Sequence, residues 1–428
     1  MNRTATHLAR PLATALLTAL AGCGSVGPVA GDARDADPGR EVTITNRGPN
    51  AVSVWGEIAF KAIGNTNQDL VTVHLAMYDA VMAIARTHQP YAARPATAGA
   101  GAGEVGMKAA AVEAAYRTLQ RLAPGGGAHY EARYAADIAA LPDGDARTRG
   151  RAIGNEVAAA LLALRADDGR HTPLPPYVPG TQPGQFRGTN PINRIGPYIK
   201  PFATRSHAQF RAPGPPALTS AAYAADLNEV QRLAAAQSTL RSAAQTEVAR
   251  FHTEPPPPFW TRNLRQFATA SDSLADNARL AAMLFTAHHD AVGACFESKY
   301  HHDFWRPVSA ITLADTDGNA ATQPVPGWTP HVPTPNHPEY PAAHSCASAA
   351  VAEVLRSFYG TRRVRFAFDS TVPGTALHRY DSPDDMVKEI ADARVWGGMH
   401  FRTSTDHGAE LGRQVARWVA SQYFRPVN

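Results

Sequence analysis

The sequence predicts an all-α protein, and three observations carry that reading. From Asp69 to Ile84 the apolar residues Leu70, Val73, Met77, Ala80, Val81 and Ile84 recur near i, i+3, i+4 and i+7, one face of a helix. The same period returns over 104–121, 128–141 and 145–166. No stretch of useful length shows the period-two alternation of a half-buried strand.

Taken in order, the elements after this opening are separated by proline and glycine. Residues 171–218 are dense in both, with Tyr177, Phe186, Tyr198 and Phe202 interspersed, which reads as an ordered wrap over the surface. Helices resume at about 219–238 and 241–252, and Pro255 to Pro258 force a break. A long helix of about 272–298 delivers Lys299 at its end. A second loop, about 314–341, leads to a helix over 345–359. Ser382-Pro383-Asp384-Asp385 is a helix start, with an N-cap serine, proline at the first position and acids in the first turn. Gly397-Gly398 ends that helix, and a final one presents Leu411, Val415, Trp418 and Val419 on one face.

The amino terminus reads differently. Arg3 and Arg10 precede an apolar run from Leu12 to Ala21, which closes as Leu20-Ala21-Gly22-Cys23, similar to a bacterial lipobox. Residues 1–22 are expected to be a signal peptide, Cys23 a lipidation site, 23–48 a flexible linker and 49–428 the helical domain. The expected location is the bacterial cell envelope or periplasm, with the lipid as the only membrane attachment, since no later run is long enough to span a bilayer. The 428 residues are 44% hydrophobic, ample for a large core. The 41 Lys and Arg are scattered and the net charge is +4, so no nucleic-acid arm is present. Cys295 and Cys346 are too few for a cysteine zinc site and read as a disulfide or as buried thiols.

The chemistry concentrates in residues 299–400. Lys299 is followed, after six residues, by Arg306-Pro307; then come Pro341-Ala342-Ala343-His344 and, later, Arg394, five residues and His400. Three cations and two histidines in this order suit a compact multivalent oxyanion, because arginine supplies planar forks of donors and lysine a point charge. Neutral imidazole adds a lone pair for use as ligand, nucleophile or proton carrier.

These three segments resemble the signature of the vanadium-dependent haloperoxidases and the related type 2 phosphatidic acid phosphatases. In that signature the middle segment is Pro-Ser-Gly-His, and here Ala342 and Ala343 replace the serine and glycine. The similarity extends over roughly residues 50–424, including Trp55 to Tyr91 and Pro216 to Val230. It implies a pair of four-helix-bundle-like units with long Pro/Gly-rich loops. It also implies vanadate as cofactor, held by Lys299, Arg306, Arg394 and the backbone at Ala343, with His400 as its protein ligand and His344 as acid–base group. The implied reactants are hydrogen peroxide, a halide and an organic acceptor. His337, seven residues before His344, stands where the bromide-oxidising members have histidine, and Phe296 stands near the implied halide position. The alternative is an exported acid phosphatase, with no cofactor and phosphate as the substrate anion. There His400 would attack phosphorus and His344 would protonate the leaving group. His288, His289, His301 and His302 read as outlying or surface groups, and Asp290 and Asp303 as orienters of a site cation or surface ion pairs.

Overall fold

The computed structural model describes residues 39–64, 67–97, 99 and 102–427. The expected signal peptide and Cys23 lie outside them.

The chain is helical, as the periodicity requires. Helices α1 (Ala51–Ile63), α2 (Asn67–Ala85), α3 (Gly103–Leu122), α4 (Glu131–Ala139) and α5 (Asp145–Leu164) form the amino-terminal bundle. Asn50 caps α1, accepting hydrogen bonds from Val52 and Ser53 N–H groups. The wrap over 171–218 is present, carrying only two short 3-10 turns. It is followed by α6 (Ala221–Leu233), α7 (Ala243–Phe251) and α8 (Pro256–Arg265). The proline run does end α7, and its last three members then fill the first turn of α8, where a missing N–H costs nothing.

Helix α9 (Leu274–His302) runs between the two bundles, packing on α2 on one side and on α11 (Ala343–Tyr359) and α13 (Arg402–Gln422) on the other. It runs on past residue 298, so Lys299 sits inside its last turn, and Asp303 closes it in the left-handed conformation at φ 46°. Short α10 (Pro307–Thr312) follows Arg306. Helix α12 (Pro383–Trp396) begins as expected, with the Ser382 hydroxyl accepting from the Asp385 N–H at 3.2 Å. Helices α9, α11, α12 and α13 make the second bundle. Two glycines let α13 reach the start of α11. A Cβ at Gly408 would stand 2.7 Å from the Ala342 carbonyl oxygen, and one at Gly412 would overlap that of Cys346.

Two expectations need correction. A small sheet exists: β1 (Glu41–Thr43) pairs in parallel with β2 (Arg363–Phe368), which pairs antiparallel with β3 (His378–Tyr380). In β2, Val364, Phe366 and Phe368 point inward between more exposed neighbours, an alternation too short to stand out against the helical period. Residues 41–43, assigned to the flexible linker, are therefore hydrogen-bonded into the fold. Cys295 and Cys346 are buried free thiols, not a disulfide.

Candidate active site

The carboxy-terminal bundle delivers the expected groups to one place. Lys299 comes from the last turn of α9, Arg306 from the residue capping α10, His344 from the first turn of α11, Arg394 from the last turn of α12, and His400 from the turn before α13. That turn is sharp because Gly398 adopts φ 81°, a left-handed conformation that a side chain would resist. Phe296, His337, Ala343, His344, Arg394 and His400 line a cavity of about 1090 Å³. Lys299 and Arg306 do not line it, but Arg306 contacts two residues that do, His337 and His400.

The loop between α10 and α11 wires this end together. Lys299 Nζ donates to the carbonyls of Pro338 at 3.0 Å and Glu339 at 2.7 Å. Arg306 donates through Nε to the His337 carbonyl at 2.8 Å, and its two terminal nitrogens lie 3.1 Å from His400 Nε2 and 2.9 Å from His337 Nδ1. His337 Nδ1 lies between two partners, Arg306 as donor and the Pro338 carbonyl as acceptor at 3.1 Å. A guanidinium can only donate, so His400 Nε2, which faces it, is a lone pair. The proton of His400 is thereby placed on Nδ1, which lies 2.8 Å from Glu339 Oε1. The same carboxylate oxygen accepts from the Phe401 N–H at 3.0 Å. His344 has no hydrogen-bond partner for its ring among the described residues and remains partly open to the cavity.

Charge is unbalanced here. Lys299, Arg306 and Arg394 are 0%, 1% and 2% exposed, and the Glu339 carboxylate interacts with the first two. Burial raises Glu339 to about 7 and lowers Lys299 to about 8. It pulls the two guanidinium groups down to about 10 and about 9, which leaves both charged at neutral pH. Burial, then the neighbouring cations, holds His337, His344 and His400 well below the ordinary histidine value, so all three are neutral. Arg394 donates weakly to the His252 carbonyl at 3.3 Å, and its Nε has no partner among the described residues.

Other expectations resolve variously. Phe296 packs edge-on to His337, ring centres 5.1 Å apart. His288 and His289 are buried and line the cavity, so they are not surface groups. Asp290 accepts the N–H groups of Phe202, Ala203 and Thr204, and Asp303 accepts the Tyr177 hydroxyl; neither orients a site cation. Glu339 was missed. Its place beside His337 was visible, but its pairing with His400, 61 residues away, has no counterpart in any local spacing.

Comparison with known proteins bears on the fold. Residues 279–428 match the model of the VCPO second helical-bundle domain. The vanadium chloroperoxidase of Curvularia inaequalis is 25% identical over 277 residues, 48% of this chain and 45% of that protein, so the match spans less than half of the relative's length. The chain is thus similar to the vanadium haloperoxidases in its carboxy-terminal bundle. Solved haloperoxidases of bacteria share the fold over most of their length. A vanadium-dependent iodoperoxidase superposes with a TM-score of 0.69 at 23% identity, covering 88% of this chain and 96% of that one. A vanadium-dependent chloroperoxidase in its holo form gives 0.65 at 17% identity, covering 88% and 93%.

Proposed function

We propose that the protein is a vanadate-dependent haloperoxidase, oxidising halide with hydrogen peroxide to hypohalous acid, with bromide taken more readily than chloride. The observation that carries this is the surplus of buried positive charge around His400. Three enclosed cations with one neighbouring carboxylate are costly unless an anion joins them. The unpartnered Arg394 Nε is the donor such a guest would satisfy. The residues present therefore fit vanadate: Lys299, Arg306 and Arg394 for its oxygens, the backbone at Ala343 beside them, and His400 Nε2 as ligand.

Bound vanadate supplies a Lewis acid that polarises peroxide without changing its own oxidation state. The chain's own groups do the rest. Glu339 keeps the His400 proton on Nδ1 and so keeps Nε2 a lone pair. Neutral His344 takes the proton of incoming hydrogen peroxide on its free ring nitrogen. His337, held against Arg306 and packed on Phe296, would flank a halide bound beside them. The apolar flank of the cavity, with Leu70, Trp260, Phe285 and Val292, is suited to an organic acceptor. Export to the cell envelope with a lipid on Cys23 belongs to the same proposal, and labelling with a radioactive fatty acid, lost in Cys23→Ser, tests it.

The activity is tested on the purified mature protein. With orthovanadate and peroxide it is expected to brominate a dione dye in a bromide-dependent manner. Hydrolysis of a chromogenic phosphate ester without vanadate, in place of bromination, would overturn the peroxidase in favour of the phosphatase that uses the same histidines. Neither activity, with no anion bound, would overturn both.

A further inference from the structure

One cluster borders the anion pocket, sharing only His252 with its wall. His252 at the end of α7, His378 on β3 and Glu389 on α12 each bring one ligand atom to within 4.8 Å of the others. Glu389 Oε1 is 2.9 Å from His252 Nε2 and 2.7 Å from His378 Nδ1, and it also accepts the Tyr380 hydroxyl at 2.7 Å. The far nitrogen of His378, Nε2, is 3.0 Å from Glu247 Oε2. His252 is 3% exposed, yet the side chains of Glu389 and Glu247 are 24% and 30% exposed, so solvent reaches the carboxylates.

The geometry points to a divalent-cation site formed by His252 Nε2, His378 Nδ1 and Glu389, with Glu247 orienting His378 from behind. Three considerations support it. Two imidazole nitrogens and a carboxylate are the donor set that borderline ions, zinc first, select. A ligating histidine ordinarily donates its other N–H to a carboxylate, which is what Glu247 is placed to receive. The charges also balance, because two carboxylates with neutral rings carry −2. Without a cation, both ring nitrogens of His378 face carboxylates, Glu389 and Glu247. A cation would take the lone pairs of both rings.

The site would tie α7, β3 and α12 together. One of its ligands touches the anion pocket through the backbone, the His252 carbonyl accepting from Arg394, and Glu389 precedes Arg394 by five residues on α12. The inference does not depend on the peroxidase reading, since it needs neither vanadate nor turnover.

The experiment is calorimetric titration of the untagged, chelator-stripped full mature chain with zinc sulfate, in the absence of vanadate. One equivalent is expected to bind with Kd of about 1 μM or tighter. The unfolding temperature should rise with zinc. Glu389→Gln and His378→Gln should each weaken binding at least ~10-fold, and Glu247→Gln about 10-fold, on the scale of orienting partners. His301→Ala, on an exposed part of α9, should leave it unchanged. No saturable binding by the parent chain overturns the proposal without any variant. Binding that survives both glutamine substitutions at the ligands, or is lost with His301, overturns it as well.

Discussion

The amino-terminal bundle and the anion pocket bury charge in opposite ways. In the amino-terminal bundle, Asp79 accepts three backbone N–H groups, from Tyr91, Ala92 and Ala93, and so pins the turn after α2. Asp69 and Asp168 share Arg170, which bridges α2 to the wrap. Each of these ions is matched within the chain. In the carboxy-terminal bundle Lys299 and Arg306 are satisfied mainly by carbonyl dipoles, and Arg394 keeps a free donor. The contrast teaches how to tell a structural ion from a functional one. A matched ion holds chain to chain, whereas an unmatched one is held by a scaffold for a guest.

The contrast can be broken by substitution. His400→Ala should abolish vanadate binding, a loss beyond the 10- to 100-fold that a ligand's orienting partner is worth; equilibrium dialysis showing parental affinity would remove His400 as ligand. Asp79→Ala should lower unfolding stability in urea by about 3 kcal/mol, because three amides lose their acceptor, yet leave vanadate affinity unchanged. Arg394→Met should do the reverse, keeping the fold and weakening vanadate by ~2 kcal/mol, roughly 30-fold. If it destabilised the chain as Asp79→Ala does, Arg394 would belong with the structural ions.

Two smaller effects sharpen the comparison. Glu339→Gln should weaken vanadate about 10-fold by freeing the His400 tautomer while sparing secondary structure, as circular dichroism would show. Affinity for molybdate, which keeps its charge over the range, should fall as pH rises from 7 to 9, by roughly tenfold. Glu339, held near 7 by burial, gains its negative charge over this interval, and Lys299, lowered to about 8 by burial, loses its positive one. Both changes oppose an anion, so a flat profile would mean that neither group faces it.

The sequence made the helices legible because each buries one stripe over many turns, and a period repeated over 19 or 20 residues is hard to mistake. It failed on β2 because six residues give three inward positions, too few to establish a period. The charged site groups were legible as a set through their spacing. Glu339, His252 and Glu389 were not, because their partners are far along the chain and only the tertiary fold supplies them. His288 was read as outlying because a histidine pair on a helix has no intrinsic inside; the cavity wall decided it.

The short run His337-Pro338-Glu339 touches nearly every actor in the pocket: its carbonyls hold Lys299 and Arg306, its first ring lies against Arg306, and its last carboxylate sets His400. Frame therefore matters more there than composition. A single-codon deletion between Asn336 and Tyr340 would misplace all of these partners at once, whereas exchanging any one side chain would leave the main-chain cradle standing. Laboratory variation aimed at a new halide is better spent on side chains lining the cavity than on the length of that hairpin-sized strip.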